Sequence, residues 1–347
     1  MPTLTASYLE RVCKLMFVAA GSSDDEAETV AKSLVSANLM GLDSHGVIRM
    51  MQYLDLVSAG KIRPGAKLEI VRDAPSMIVA TGHWGFGQVI GQQATDLVIQ
   101  RARETGLAAI AVSECNHAGR IGEYTSRIAA HQMLGLATAN GHGAALRVAP
   151  WGGRENRLAT NPISFAAPTR EGQPILVDMA SSVTAEGKIR VARNQGKTLP
   201  DAWIISAQGK PSVDPNDLYG PPHGALLPLG GVVGYKGYAL SVMIDILSGG
   251  LSSAGLSRGG DAQIGNALYI QAIDIQRFLP LEEFTARIDA FTAHLRSSAL
   301  AVGHEEILLP GDPEYRTMEA RLRDGVVLDD ETWRQFSARA AQLGVEL

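Results

Sequence analysis

Amphipathic helical sequence occupies both ends of this chain, and short apolar runs alternate with helical segments between them. Residues 5–19 carry an apolar stripe, and Ser23 followed by acidic residues predicts the cap of a second helix. Beyond residue 280 the sequence again favours charged helices. We therefore expect an α+β protein. Residues 1–65 and 280–347 would form one helical domain, and residues 66–279 would form an α/β domain inserted into it.

The middle section has the texture of a sheet covered by helices. Apolar runs rich in β-branched residues predict strands, and longer periodic segments predict helices between them. The predicted strands are 76–80, 107–112, 134–138 and 175–179, and the predicted helices are 88–104 and 124–132.

Composition excludes several classes of protein. A net charge of −5 without a Lys/Arg-rich run argues against a nucleic-acid partner. Cys13 and Cys115 lie far apart and form no CxxC pair, which fits a reducing cytoplasm. The N-terminus lacks the basic start and apolar core of a signal peptide. The apolar stretch 238–247 contains Asp245 and is too short for a membrane span, so we expect a buried helix there and a cytoplasmic protein.

A glycine-rich segment at residues 81–91 resembles a dinucleotide-binding turn. It follows a predicted strand and opens a predicted helix. The glycine spacing is GxGxxxG, one residue longer than the fingerprint requires, and Trp84 and Phe86 would crowd a pyrophosphate. We interpret it as a structural connection and assign no cofactor to it.

The segment from Asp43 to Tyr53 carries the clearest chemistry. Asp43 and Ser44 are good N-cap residues, so we expect a helix to begin here and to place His45, Arg49 and Tyr53 on one face. A histidine can act as a general acid or base and an arginine can grip a carboxylate. The positive end of the helix dipole would favour an anion and help keep His45 neutral. The ordinary alternative is a surface histidine beside a salt-bridged arginine.

Other polar residues lie where ligands commonly bind. His117 follows a predicted strand and precedes a glycine-containing turn, a position that places ligands in open α/β sheets. The alternative is that Asn116 and His117 only satisfy turn and cap hydrogen bonds. Thr160 lies in a loop that could present a hydroxyl to an anion, and Lys236 stands between glycines that would allow close approach of a phosphate or ribose. A solvated loop lysine is the common alternative for Lys236.

The sequence contains no Walker loop and no HExxH helix. Its eight histidines include no pair at metal-ligand spacing, so no metal site is predicted.

Taken together, these segments resemble the type-2 malate/L-lactate dehydrogenase family. This family also includes sulfolactate, ureidoglycolate and hydroxycarboxylate dehydrogenases and imine-reducing piperideine-carboxylate reductases. The hydroxycarboxylate branch looks closest. The matching segments run in family order across nearly the whole chain: Asp43-Ser-His-Gly-Val-Ile-Arg49, Phe86-Gly-Gln-Val89, Asn116-His-Ala-Gly-Arg-Ile-Gly122, Thr160-Asn-Pro162, Asp178-Met-Ala-Ser-Ser182, Gly187-Lys188, Lys236-Gly-Tyr-Ala-Leu240 and Leu309-Pro-Gly311.

The resemblance implies a non-Rossmann enzyme that uses NAD or NADP and is usually a homodimer. It implies that His45 donates and accepts the proton, that Ser44 relays it, and that Arg49 and Thr160 bind the substrate. In ureidoglycolate dehydrogenases the histidine that matches His117 is the base, so two histidines compete for one role. The implied cofactor contacts are His117, Ala118, Gly119, Arg120, Ile121, Asp178, Met179, Ala180, Lys236, Leu309, Pro310 and Gly311.

One departure from the family bears on the substrate. The imine-reducing branch carries a relay aspartate where this chain has Lys188, so 2-hydroxy acid chemistry is favoured over reduction of a cyclic imine carboxylate. Lys188 could add positive charge near an anionic substrate. An alternative of another class is a non-catalytic nucleotide-binding dimer. The particular 2-hydroxy acid, its stereochemistry and the choice between NAD and NADP stay open.

Overall fold

The fold is a sheet-centred α/β body with helices from both chain ends packed beside it. The computed structural model describes residues 1–142, 145–194, 196–260 and 263–347. Its helices are α1 (Ala6–Ala19), α2 (Asp24–Leu39), α3 (Met50–Ser58), α4 (Gly87–Thr105), α5 (Gly122–Ala130), α6 (Glu186–Asn194), α7 (Asn216–Tyr219), α8 (Tyr235–Asp245), α9 (Leu281–Arg296), α10 (Asp312–Asp324) and α11 (Asp330–Gln342). Its strands are β1 (Thr3–Leu4), β2 (Glu69–Asp73), β3 (Met77–Gly85), β4 (Leu107–Cys115), β5 (Met133–Gly141), β6 (Ile163–Ala167), β7 (Ile175–Met179), β8 (Ile204–Ile205), β9 (Pro211–Ser212), β10 (Ala225–Leu226), β11 (Asn266–Asp274) and β12 (Val326–Val327).

Seven strands form the main sheet in the order β2-β3-β4-β11-β5-β6-β7. Among the described residues β3 and β4 pair in parallel, and every other neighbouring pair in this sheet is antiparallel. A doubly wound dinucleotide fold requires consecutive parallel strands with crossover helices. The mixed sheet therefore confirms the expected non-Rossmann α/β architecture.

Helices α4 and α5 cover one face of this sheet. Ile90, Val98 and Ile128 on these helices pack against apolar side chains of the central strands, including Ile110 on β4 and Ile270 on β11. Strand β4 is buried along almost its whole length, which explains its continuous apolar sequence. The loop after β4 is thereby held between the sheet and the start of α5.

A second core joins both chain ends, as the sequence pattern predicts. Leu9 and Leu34 from the first two helices pack in one cluster with Phe336 and Ala340 of α11. The caps also agree with the prediction, since the Ser23 hydroxyl accepts a hydrogen bond from the backbone amide of Glu26. The proposed domain boundaries stay a prediction.

Two features differ from expectation. Strand β11 lies at the centre of the sheet, but it was not predicted from the sequence, which carries neither a turn signal nor a strong periodicity there. The predicted buried helix at 238–247 is α8 extended by a π-helical turn (Ile246–Gly250), and one of its faces is open. Met243 and Ile246 are 53% and 41% exposed, so the expectation of full burial is wrong for the single chain. Within the described residues, no helix has both the length and the apolar character needed to span a membrane.

Candidate active site

The predicted helix at Asp43 does not form there. Residues Asp43–His45 and Val47–Arg49 form two 3₁₀ turns, and the α-helix begins at Met50. The reason is that the Asp43 carboxylate does not cap a helix. It accepts hydrogen bonds from Asn38 Nδ2 at 2.6 Å and from Arg321 Nη2 at 3.0 Å. The expected effect of the helix dipole on His45 is therefore also wrong, since the helix starts after Arg49.

Asn38 fixes the turn that carries the candidate reaction groups. Its Oδ1 accepts a hydrogen bond from the Val47 amide at 2.8 Å, and a Cβ at Gly46 would collide with its side chain. The Arg49 side chain folds back over this turn, where its Nε donates to the Ser44 carbonyl at 2.7 Å. His45 and Arg49 are thus brought together by a tight turn rather than by a helix face.

The His45 ring stacks on the His117 ring. The centroids are 5.5 Å apart and the planes differ by 19°. His117 lies in the loop between β4 and α5, as predicted, so the stack joins the helical part of the chain to the sheet. The Ser44 hydroxyl lies 3.1 Å from His45 Nδ1, the contact that a proton relay requires.

Both imidazoles are held neutral. Burial and, to a smaller extent, the positive charges of Arg49 and Arg120 together lower the pKa of His45 to about 3. Burial also lowers the pKa of His117 well below its ordinary value, with Arg49 and His45 acting in the same direction. A neutral imidazole can accept a proton from a substrate hydroxyl, which a protonated one cannot.

Tyr53 contacts His117 from the buried side, and Gln88 contacts Tyr53. The Tyr53 hydroxyl lies 2.6 Å from His117 Nδ1, and Gln88 Nε2 donates to the same hydroxyl at 2.9 Å. Tyr53 was expected on the reactive stripe, whereas Gln88 was recognised only as part of a family segment. Glycine at position 87 allows this approach, because a Cβ there would collide with the His117 carbonyl.

Three of the segments that the resemblance assigns to the cofactor meet next to this stack. The Gly122 amide at the start of α5 donates to Asp178 Oδ2 at 3.0 Å, and Arg120 Nη1 lies 3.7 Å from the same oxygen. On the other side of β7, the Leu176 amide donates to the Pro310 carbonyl at 3.0 Å. Gly311 has a φ of +100°, a conformation that favours glycine.

Arg120 and Asp178 are an incompletely satisfied pair. Arg120 is 5% exposed, yet its Nε and Nη1 have no hydrogen-bond partner among the described residues. Burial raises the pKa of Asp178 to about 6, against the lowering effects of Arg120 and of the Gly122 amide. Buried donors without partners are rare in proteins, so Arg120 has hydrogen-bonding capacity that the described residues do not use.

Most of the other residues predicted to contact the cofactor lie in the same three segments. Ala118, Gly119 and Ile121 line the turn before α5, with Ala118 and Ile121 buried. Met179 is 40% exposed and Ala180 is half-buried at the end of β7. Leu309 is buried beneath its loop.

Backbone contacts link Thr160 and the residue after Lys236 to the segment that ends at Ala180. The Ser181 amide donates to the Thr160 carbonyl at 3.0 Å, which places Thr160 beside the segment that ends at Ala180. The Leu229 amide donates to the Ser181 carbonyl at 2.9 Å, and Gly237 packs against Leu229. Lys236 itself is exposed at the start of α8.

Helix α6 forms a wall that the sequence did not identify. A Cβ at Gly187 would lie 2.5 Å from the Ser44 Cβ, so α6 packs directly against the reactive turn. Glu186 accepts hydrogen bonds from Arg190 Nη2 at 2.8 Å and from the Tyr219 hydroxyl at 2.6 Å. Both Glu186 and Arg190 are close enough to affect the pKa of Arg49. Lys188 is exposed, and the structure shows no contact between it and the histidines or Arg49.

The described part of the chain contains no group of three or more His, Cys, Asp or Glu side chains that could hold a metal ion. The side chains gathered at this site include two neutral imidazoles, the guanidiniums of Arg49 and Arg120 and the Ser44 hydroxyl.

Comparison with known proteins identifies the family. The model for malate/L-lactate dehydrogenase matches residues 4–337 of this chain. The chain belongs to the malate/L-lactate dehydrogenase family. It is similar to the malate dehydrogenase of Pyrococcus abyssi, with 37% identity over 94% of this chain and 91% of the relative. It is also similar to the hydroxycarboxylate dehydrogenase B of Escherichia coli O157:H7, with 32% identity over 98% and 94% of the two chains.

A solved structure agrees with this family membership. The crystal structure of malate dehydrogenase from Entamoeba histolytica superimposes with a TM-score of 0.93 at 28% identity, covering 100% of this chain and 99% of that one. As a member of the malate/L-lactate dehydrogenase family, the protein is a hydroxy acid dehydrogenase and an oxidoreductase.

Proposed function

We propose that this protein interconverts a 2-hydroxy acid and the corresponding 2-oxo acid with NAD or NADP as the cofactor. The observation that carries the proposal is the stack of two neutral imidazoles, His45 and His117, with Arg49 close enough for its charge to lower the pKa of both. Proton exchange at a carbon-bound oxygen and capture of a carboxylate are the two operations that this reaction demands of a protein.

Arg49 is the proposed carboxylate ligand. One of its amino groups donates to Gln52 Oε1 at 2.9 Å and its Nε donates to the Ser44 carbonyl, so the guanidinium is already oriented before substrate arrives. A planar guanidinium that pairs with a carboxylate fixes the position of the adjacent carbon. Thr160 is the proposed second substrate contact. We propose that Lys188, exposed on α6, adds positive charge at that side of the site.

His45 is the proposed acid and base, with Ser44 as its relay. In oxidation the neutral ring takes the proton of the substrate hydroxyl, and in reduction it returns that proton to the carbonyl oxygen. The Ser44 hydroxyl, at 3.1 Å from Nδ1, orients the ring and offers a route for the proton to leave. The closeness of His117 leaves a role for a second histidine at the same substrate oxygen.

The residues around Arg120 fit the cofactor. The unpaired Nε and Nη1 of Arg120, the amide end of α5 and the carboxylate of Asp178 can bind phosphate and ribose hydroxyl groups. When bound, NAD or NADP supplies the hydride chemistry, and the protein supplies position and charge. We assign this role to His117, Ala118, Gly119, Arg120, Ile121, Asp178, Met179, Ala180, Lys236, Leu309, Pro310 and Gly311.

We further propose a cytoplasmic homodimer. The open face of α8 and the turn after it expose Tyr235, Met243, Ile246 and Leu251 by 41% to 53%. A contiguous apolar face of this kind typically marks a protein interface. Sedimentation or light scattering should give twice the mass of the chain, and Met243→Asp should shift the protein towards the monomer.

The function is tested by following reduced NAD and reduced NADP separately with oxaloacetate, pyruvate, phenylpyruvate and a cyclic imine carboxylate. We expect turnover with at least one 2-oxo acid. Turnover with the imine alone would replace the proposal by imine reduction. Binding of the cofactor without turnover on any compound would identify a non-catalytic nucleotide-binding protein.

A further inference from the structure

Gln88, Tyr53 and His117 form a hydrogen-bonded chain that is closed to water at one end. Gln88 is fully buried and Tyr53 is 1% exposed. The Tyr53 hydroxyl lies between Gln88 Nε2 at 2.9 Å and His117 Nδ1 at 2.6 Å. A phenol has one hydrogen to donate. Tyr53 can therefore donate to Gln88 or to His117, but not to both.

The amide orientation of Gln88 sets that direction. The Gln88 Nε2 donates to Tyr53. The other polar atom of this side chain, Oε1, has no hydrogen-bond partner among the described residues. Turned over, the amide would present its oxygen to Tyr53 and withdraw its NH₂ group from the only partner it has. Unpaired carbonyls occur in protein interiors more often than unpaired N–H groups, so the observed orientation is the favourable one.

Tyr53 must then donate to His117. Burial raises the pKa of Tyr53 to about 12, so the phenol keeps its hydrogen throughout the working pH range. Its oxygen accepts from Gln88, and its hydrogen has two acceptors on His117, the ring Nδ1 at 2.6 Å and the backbone carbonyl at 3.5 Å. The much shorter distance assigns the hydrogen to Nδ1. A neutral imidazole that accepts at Nδ1 carries its own hydrogen on Nε2, at the other edge of the ring.

We propose that Gln88 and Tyr53 are positioning residues that hold His117 as the Nε2–H tautomer, so that His117 donates a hydrogen bond to the reacting oxygen and is not the base. This inference rests on the proposed 2-hydroxy acid chemistry. In oxidation the hydroxyl proton passes to His45, and the N–H bond of His117 stays intact while it stabilises charge on the oxygen. The same N–H polarises the carbonyl in reduction, as preorganised donors do at other reaction centres.

This division of labour resolves the competition between the two histidines. His117 is fixed by a tyrosine whose own partner is buried, so its tautomer cannot change without cost. His45 Nδ1 faces the Ser44 hydroxyl, which can rotate and either donate or accept. The ring with the adaptable partner is the one suited to gain and lose a proton.

The first test is the tautomer itself. Nitrogen NMR of protein labelled with ¹⁵N-histidine distinguishes Nδ1–H, Nε2–H and protonated rings, and the His117→Asn spectrum assigns the signal. We expect the Nε2–H form at neutral pH without any cofactor or substrate. A hydrogen on Nδ1, or a protonated ring, would overturn the proposal. This measurement does not depend on turnover, so it stands even if the proposed function fails.

The second test reverses the direction of the hydrogen bonds between Gln88, Tyr53 and His117. Gln88→Glu replaces the amide by a carboxylate of the same shape that, when ionised, can only accept. Tyr53 must then donate to it, and the His117 hydrogen should move to Nδ1 as the pH rises. Gln93→Glu is the matched control, because Gln93 lies on the same helix and already uses its side-chain oxygen as an acceptor, from the Leu68 amide. An unchanged His117 tautomer in ionised Gln88→Glu would contradict the inference.

Tyr53→Phe keeps the ring and removes the hydroxyl. This variant tests the same inference if Gln88→Glu does not fold. We expect His117 to show both tautomers and kcat to fall by about tenfold or more, with the cofactor KM unchanged. Tyr53→Phe combined with Gln88→Met removes the unpaired amide and should restore stability but not kcat. Full kcat in either variant would show that the tautomer of His117 has no part in the reaction.

Discussion

Arg321 of α10 binds the carboxylate of Asp43, two residues before His45. The same guanidinium also donates to the Asn38 carbonyl. One side chain from the C-terminal part of the chain therefore holds both residues that shape the reactive turn. The helices of the two chain ends form part of the reaction centre as well as its scaffold.

Arg321→Gln should lower kcat by about tenfold or more, because small displacements of reacting groups are costly. Arg323→Gln is the matched control, since Arg323 is exposed on the same helix and pairs with its neighbour Asp324. Steady-state kinetics on both variants, with circular dichroism to show that they are folded, provide the measurement. Equal kcat values for the two variants would show that the turn keeps its shape without Arg321.

His45→Gln should reduce turnover by roughly two to four orders of magnitude, the usual contribution of a positioned acid or base. Binding of reduced cofactor, followed by fluorescence, should change little, because His45 is assigned to the substrate. His131→Gln, on the exposed end of α5, is the control for loss of a histidine. Turnover near that of the unaltered protein would remove His45 from its role.

Arg49→Lys should raise the KM for the acid by about tenfold or more, since an ammonium cannot reproduce the planar fork of a guanidinium. The KM for the cofactor should stay the same. Kinetic titration of both substrates separates these effects. A rise confined to the cofactor KM would reassign Arg49 to the cofactor.

Asp178 predicts a pH dependence of stability. Its pKa is about 6 in the folded chain, raised by burial, against 3.8 when exposed. Its contribution, about 3 kcal/mol, is therefore present in full below about pH 4 and is lost as the pH rises through 6. In the absence of cofactor, Asp178→Asn should raise the free energy of unfolding in urea at pH 7.5 and leave it nearly unchanged at pH 4. Asp201→Asn, at an exposed position, is the control, and a uniform effect at both pH values would contradict the assignment.

The sequence predicted the candidate reaction groups but not the way they are held. His45, Arg49 and His117 were predicted because their chemistry is visible in the residue types and in the family segments. The helix start at Asp43 was wrong because the partners of its carboxylate are Asn38 and Arg321, and Arg321 is remote in sequence. The wall formed by α6 was missed because Glu186 and Arg190 look like an ordinary solvated pair on a helix.

For the fold, too, local features were predictable from the sequence and long-range pairing was not. Helices α1 and α4 and the start of α2 were predicted within a few residues, since periodicity and caps are local signals. The position of β11 could not be predicted, because strand order depends on pairing between distant segments.

Strand β11 lies between β4 and β5, although it follows both of them in the sequence by more than a hundred residues and is synthesised last of the three. A ribosome must therefore deliver most of the polypeptide before the two halves of the sheet can join. Until then the facing edges of β4 and β5 present unpaired backbone groups, which invite aggregation of the nascent chain. Synthesis of this protein thus passes through a vulnerable stage whose length is set by strand order.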